Sequence, residues 1–236
     1  MIPAYYHHVA LLVTYFQYQA RGTSMKKLLV ALMALTMAGC ATHANIEMPA
    51  VSQVYDTAYE DKSISHEVFY SQPKPGVFTG GEQLPMAPLA EAELSVASAS
   101  VLRDLPNYIY EQLPASVKRA SPEQADYNLV VELTAHHKKG PAYADYEMGK
   151  SFGKDLLTLG FGSSEYDIIA DFDVAYKLVG DSETIFEKSY TVKESVDHEK
   201  GDFEGYNSLN EYTGQMLEKH LILTLNDFFQ EAAPHL

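Results

Sequence analysis

YDIIADFDVAYKLVGDSETIFEKSYTVKESV, residues 166–196, holds two runs of alternating character around one turn. In the first, Tyr166 to Val179, the residues Ile168, Ala170, Phe172, Val174, Tyr176 and Leu178 recur every second position, so one face of a strand is continuously apolar. Gly180-Asp181-Ser182-Glu183 turns the chain. Thr184 to Val196 then returns with Phe186, Tyr190 and Val192 on one side, which makes the pair an antiparallel hairpin. A sheet built around this hairpin has one face to bury and one to leave in water.

Working backwards, Asp126 to His136 has the same period. Tyr127, Leu129, Val131, Leu133 and Ala135 alternate with Asn128, Val130, Glu132 and Thr134. A further extended segment runs from about Val54 to Tyr70. Between these lie a Pro- and Gly-dense stretch, Gln72 to Pro88, that predicts a long surface loop, and a stripe of Leu94, Ala97, Val101, Leu105, Tyr108 or Ile109, and Leu113 at helical spacing. Pro106 interrupts the stripe, so the element is a kinked helix or two in series. Ser121-Pro122-Glu123-Gln124 has a capping-box arrangement for a single turn.

Downstream, Lys138 to Glu165 predicts a long connection with a short helix near Phe152 to Leu159. At the end of the chain, Ser208 and Glu211 predict a capping box opening a helix to about Phe229. Its buried side would be Leu209, Tyr212, Met216, Leu217, Leu221, Leu225 and Phe228. The order is β-α-β-β-β-α. The fold class expected is therefore α+β: a mainly antiparallel four-stranded sheet with two main helices packed on one face.

The N-terminal region reads differently. Lys26 and Lys27 precede an apolar stretch, Leu28 to Ala38, of the length a secretory signal uses and too short to span a bilayer as a helix. Residues 1–24 add nothing that a signal needs; they are either an extension of the N-terminus or the product of a start assigned too early, with Met25 the initiator, and the second is preferred. The domains expected are the extension 1–24, the signal peptide 25–39, a flexible tether 40–53 and one domain 54–236. Residues 1–39 hold three of the 17 basic residues and none of the 32 acidic ones, so removing them leaves a net charge of about −18. Such a surface repels nucleic acid, which binds through Lys and Arg neutralising phosphates.

Met37-Ala38-Gly39-Cys40 resembles the bacterial lipobox, with Met where Leu is usual at the first position. The resemblance implies cleavage between Gly39 and Cys40, lipidation of the Cys40 thiol and acylation of the new amine. One acyl chain holds a protein only marginally, while two or more hold it durably. Cys40 is the single cysteine, so no disulfide or Cys-based metal site is available to the domain. Ala41 at the following position implies the outer membrane, because Asp there marks inner-membrane retention in enterobacterial lipoproteins.

The element order behind a lipobox also resembles the LptE-like and YajG-like outer-membrane lipoproteins. The local match is Ala125-Asp126-Tyr127-Asn128-Leu129-Val130-Val131-Glu132. That family implies a non-enzymatic accessory role on the periplasmic face, bracing or escorting an envelope protein, with no cofactor. The acidic balance departs from a member that meets an anionic ligand through basic residues.

Motifs for chemistry are weak. Gly149-Lys150-Ser151 ends like a phosphate loop, but Ala144 stands where the loop needs glycine. His136-His137 are adjacent and on a strand point to opposite faces. Asp167, Asp171 and Asp173 share a face, yet with Ile169 and Ala175 among them they read as a solvated surface. Gly160-Phe161-Gly162 lacks the strand-to-helix setting of a dinucleotide loop, and no Gly-x-Ser-x-Gly elbow occurs. Aromatic residues are enriched where proteins meet. This singles out Val77, Phe78, Tyr143, Tyr146 and Phe161 for partner contact, or equally for covering a sheet edge. The alternatives to an accessory subunit are a lipid or small-molecule carrier, marked by an apolar cavity between helices and sheet, and a hydrolase of an envelope polymer, marked by an acidic cleft with histidine.

Overall fold

The computed structural model describes residues 43–49, 53–76, 81–147, 164–181, 183–200 and 205–236. The chain divides into two compact units, Met1–Ala41 and Thr42–Leu236, and all described residues belong to the second. No helix among them is long and apolar enough to cross a membrane. Cys40, Gly39, Val77, Phe78 and Phe161 lie outside the described residues, as does the helix expected near 152–159.

The architecture is α+β. Its centre is the expected hairpin: β6, Ser164–Gly180, and β7, Glu183–Lys200, pair antiparallel from Ser164 opposite Lys200 to Gly180 opposite Glu183, with one bulge that leaves Ile185 unpaired. Asp181 takes the left-handed conformation in the turn, with φ 49°. β4, Tyr127–Ala135, pairs antiparallel with Phe172 to Val179 of β6. β5, Ala142–Tyr146, takes the rest of the same edge, Tyr166 to Ala170. β6 needs both because it is longer than either.

The sheet differs from expectation in size and sense. It has seven strands and is mixed, where four mainly antiparallel strands were expected. β1, Ser63–Ser71, runs parallel to β4, from Ile64 opposite Tyr127 to Ser71 opposite Thr134. The physical reason is the connection: parallel neighbours need a crossover of a dozen residues or more, and the helical stripe supplies it. The other additions are short. β2, Ala87–Pro88, and β3, Lys118–Arg119, each cover two residues of the outer edge of β1. The Pro/Gly stretch before β2 folds back on itself through the Pro73–Gln83 bridge instead of remaining a plain loop.

Pro106 breaks the first helical stripe in two. α1, Val96–Leu102, is capped by Ser95, whose hydroxyl accepts from the Ser98 N–H at 3.0 Å. α2, Leu105–Gln112, carries Pro106 in its first turn, where the missing N–H costs nothing. α3, Tyr206–Ala232, is the long helix that covers the sheet. Gly205 is its N-cap, so the expected capping box does not form; the Ser208 hydroxyl instead donates to the Gly205 carbonyl at 2.7 Å.

One core joins the layers. Leu129, Val131, Leu133, Ile168, Phe172, Val174, Tyr176 and Leu178 from the sheet meet Leu105 and Ile109 of α2 and Met216, Leu217, Leu221, Leu225, Phe228 and Phe229 of α3, all fully buried. Two buried tyrosine hydroxyls in it are matched. The Tyr176 hydroxyl pairs with Thr224 at 2.8 Å, and the Tyr59 hydroxyl donates to the Phe229 carbonyl at 2.7 Å. Along β4, β6 and β7 the other face of the sheet carries half-buried and exposed side chains, while Ser65, Ser71 and Tyr143 on the flanking strands are buried there.

Candidate functional site

Three places gather side chains that could meet a ligand or partner. The first is the open sheet face near the end of β4. His136 follows β4 and lies beside β6 because its N–H donates to the Asp171 carbonyl. Its Nδ1 is 2.8 Å from Asp171 and its Nε2 3.0 Å from Asp173. Ionised carboxylates only accept hydrogen bonds, so a ring bonded to carboxylates at both nitrogens donates from both and is an imidazolium. Burial lowers the His136 pKa, but the bonds to Asp171 and Asp173 outweigh it and the net shift is upward. A ring so held has no lone pair to offer a metal or a substrate proton. The aspartates therefore do more than decorate a solvated face: they hold a charged histidine on it.

This has a pH signature with two signs. His136 has a folded-state pKa above its unfolded value, so its contribution is full below the unfolded value and is lost as pH rises through the folded one. The Asp173 pKa moves the other way: burial raises it, but the Thr191 and His136 hydrogen bonds prevail and lower it. Its contribution is present above its unfolded value and is lost as pH falls through the folded one. Wild type is thus expected to lose some stability as pH rises from the ordinary histidine value through the raised value of the folded state. His136→Asn should flatten that slope in urea titrations at several pH values, and an unchanged slope would refute the clamp.

His137, next in sequence, turns away and stacks on Tyr143 with centroids 4.1 Å apart. The Lys139 ammonium lies 5.6 Å from the Tyr143 ring and 2.8 Å from Asp145. Tyr143, a candidate partner residue, is thus 9% exposed and folded into its own loop. Tyr146, the other described candidate, is 44% exposed, with its ring 5.4 Å from Tyr166. The two side chains point to opposite faces of β5, so the structure does not bring them together.

The second place is the outer edge of β1. β2 and β3 cover its ends, and between them lies an open groove of about 600 Å³ lined by His66, Val68, Phe69, Pro88, Leu89 and Pro106. Burial lowers the His66 pKa, which favours the neutral ring. This groove is at the sheet edge, not between helices and sheet where a carrier cavity was sought.

The third is under the start of the described chain. Ala44 is buried, and its N–H donates to Nδ1 of buried His198 at 3.1 Å. His198 packs 4.6 Å from Tyr212 of α3 and 5.9 Å from His43, and Ile46 packs on the core. Residues 43–49, expected within a flexible tether, are laid against the domain. Nearby, Glu194 of β7 holds Lys219 of α3 at 2.7 Å and lies 2.9 Å from His220. These acids and bases satisfy one another across the strand and helix. Among the described residues no group of three or more His, Cys, Asp or Glu side chains is arranged to hold a metal ion.

Sequence reasoning missed the His136 clamp and the His198 strap. Only the register of β4 on β6 brings His136 to Asp171, and no local spacing encodes it.

No family model and no curated protein matches the chain. Among solved structures it is similar to a neuraminyllactose-binding hemagglutinin homolog from Helicobacter pylori, at 9% identity over 82% of this chain and 97% of that one, with a TM-score of 0.39. It is also similar to a DUF330 protein from Xanthomonas campestris, at 11% identity over 81% of this chain and 99% of that one, with a TM-score of 0.31.

Proposed function

We propose that this protein is a lipoprotein of the bacterial outer membrane, lipidated at Cys40 and facing the periplasm, that serves as an accessory or scaffold subunit through protein–protein contacts. The observation that carries the anchor is Met37-Ala38-Gly39-Cys40 at the end of an apolar signal, with the only cysteine of the chain at the acylated position. Support for the accessory role comes from how the polar groups are used. His136 with Asp171 and Asp173, Lys139 with Asp145, and Glu194 with Lys219 are tied to one another and lie on open surfaces or between elements. Extended sheet edges are the natural place for another chain to bind.

The strap sharpens the anchor reading. Only Ala41, Thr42 and His43 stand between Cys40 and the fastened Ala44, so a lipidated Cys40 leaves the domain a leash of three residues.

The second reading is a carrier of a small apolar ligand, favoured by the groove beside β1 and its lining of Val68, Phe69, Pro88 and Leu89.

The test is Cys40→Ala. Wild type should incorporate labelled palmitate, fractionate with outer membranes and co-purify with a stoichiometric envelope protein from detergent extracts; the variant should lose the label and the membrane fraction. Labelling of the variant would refute the anchor. A correctly lipidated wild type that retains no partner would shift the weight to the carrier reading.

A further inference from the structure

β7 is 18 residues long, and β6 occupies one of its edges. Among the described residues no strand pairs with the other edge. At about 3.3 Å per residue this is an edge of about 60 Å. It contains no proline and no glycine, and its one bulge is at Ile185, close to the hairpin turn. Bulges, prolines, short length and charged side chains, lysine above all, are the devices that keep edges from pairing. From Glu187 to Ser195 β7 has only the last of them, in Lys188 and Lys193.

The hydrogen bonds of β6 show which backbone groups of β7 face outward. The Asp171 N–H donates to the Pro141 carbonyl and the Asp171 carbonyl accepts from His136, both on the side away from β7. Asp171 stands opposite Lys193. That pair is therefore of the kind that exchanges no backbone hydrogen bonds, and Lys193 directs its N–H and C=O to the free edge. By alternation Glu187, Ser189, Thr191 and Ser195 do the same, and their side chains share the open face of the sheet.

A partner strand must meet this pattern of side chains, and a second copy can do so in more than one register: axes at Ser195 or Val196 set Lys193 against Asp197 or Glu199 but leave Glu187 outside the paired stretch, whereas an axis at Tyr190 uses it. In an antiparallel pair related by a two-fold axis at Tyr190, Glu187 faces Lys193 of the second copy and Lys193 faces Glu187. Ser189 faces Thr191. Each of these is a pair whose backbone groups point across the interface, so each exchanges two hydrogen bonds. Tyr190, whose hydroxyl donates to Asp227 at 2.7 Å, faces its own counterpart on the helix side.

Neighbouring registers are poorer. An axis at Val192 sets Glu187 against Asp197, and one at Lys193 sets that lysine against itself. An axis at Thr191 leaves Lys193 and Glu187 each opposite serine; Glu187, 3.6 Å from Lys177 of its own sheet, is half exposed and open to a second cation. Like charges directly opposite destabilise a pair of strands and unlike charges stabilise it. At physiological ionic strength, repulsion between the acidic bodies is screened beyond about 8 Å, so local pairs decide the register.

We propose that the free edge of β7 is a self-association edge, on which two copies of this chain pair antiparallel about Tyr190 to form one continuous sheet. This deepens the reading of the domain as a protein-binding module by naming one occupant, and it does not depend on the lipid anchor.

The experiment is light scattering after size exclusion on the full chain in detergent, for wild type, Lys193→Glu, Glu187→Lys and the double exchange. The wild type should be a concentration-dependent dimer. Each single reversal should weaken the dimer by about tenfold or more, and the double exchange should restore it. Circular dichroism melts establish that the variants fold. A monomeric wild type, or a dimer indifferent to both reversals, would overturn the proposal. If Lys193→Glu is monomeric and yet retains an envelope partner in pull-downs, the self-association edge stands and the accessory site lies elsewhere. If the edge is instead held by a different protein whose binding Lys193→Glu abolishes, the second copy is the wrong occupant.

Discussion

Phe228→Ala is expected to cost about 3–5 kcal/mol of folding stability, the usual range when a buried phenylalanine is cut to alanine. Phe228 is fully buried in α3, with its ring 5.4 Å from Tyr176, 5.3 Å from Phe186 and 5.4 Å from Phe229. It thereby joins both long strands of the hairpin to the helix that covers them. β6 and β7 are held by their own backbone ladder, and α3 by a core the strands line, so the surroundings cannot collapse into the space a missing ring would leave. The measurement is a urea midpoint shifted to lower concentration with an unchanged slope. A loss under about 1 kcal/mol would show that the ring is not central to the core.

Gly140→Ala should cost almost as much for a different reason. Gly140 has φ 119°, a backbone conformation that L-residues avoid, and a Cβ there would stand 2.9 Å from Ser98 Oγ and 3.2 Å from Ser98 Cα. Ser98 has little room to yield. It is buried, its N–H is the one that Ser95 caps, and its hydroxyl donates to Gln72, which also accepts from Tyr70 at 2.9 Å. Backbone strain of about 1–3 kcal/mol adds to overpacking of about 1–3 kcal/mol. The sum should appear as a lower thermal midpoint, whereas Ala144→Gly in the neighbouring strand should shift it far less. A Gly140→Ala protein as stable as wild type would mean that the α1 start is free to move.

The parts of the fold that were legible in the sequence are those with long periods. Ile168 to Leu178 and Leu129 to Ala135 announced their strands because every second residue is buried, and Pro106 announced the break between α1 and α2. What stayed hidden depends on distant partners. Ala142 to Tyr146 is five residues long and buries only Ala142 and Tyr143, which are adjacent, so no alternation marked it and β5 resembled loop until the edge of β6 gave it a partner. Phe69 to Tyr70 and Ala87 to Pro88 pair across a stretch whose prolines suggested no order. The sense of β1 beside β4 is not a local property; it follows from the crossover. The capping box at Ser208 failed because the chain enters α3 three residues earlier.

The candidate surfaces were less legible than the fold. Tyr143 and Tyr146 were singled out as aromatic, but their fates differ because β5 sends one to His137 and the other to the opposite face. His136 was set aside as a ligand because of its adjacency to His137, without the register that supplies its carboxylates. The free edge of β7 was implicit in the hairpin, since a strand with one named neighbour has another side.

Two fastenings tie the beginning of the domain to its end: Ala44 to His198, 154 residues apart, and Tyr59 to Phe229, 170 apart. Contacts so remote along the chain make folding slow, because the loop must close before the contact rewards it. A chain emerging from its N-terminus first holds β1 with only the two-residue strands β2 and β3 to pair with until Tyr127 to Ala135 follow, and its core lies open until α3 arrives. Folding of this domain is thus expected to wait for the last thirty or so residues, and if the chain is exported as proposed above, it stays pliable while a secretory channel threads it.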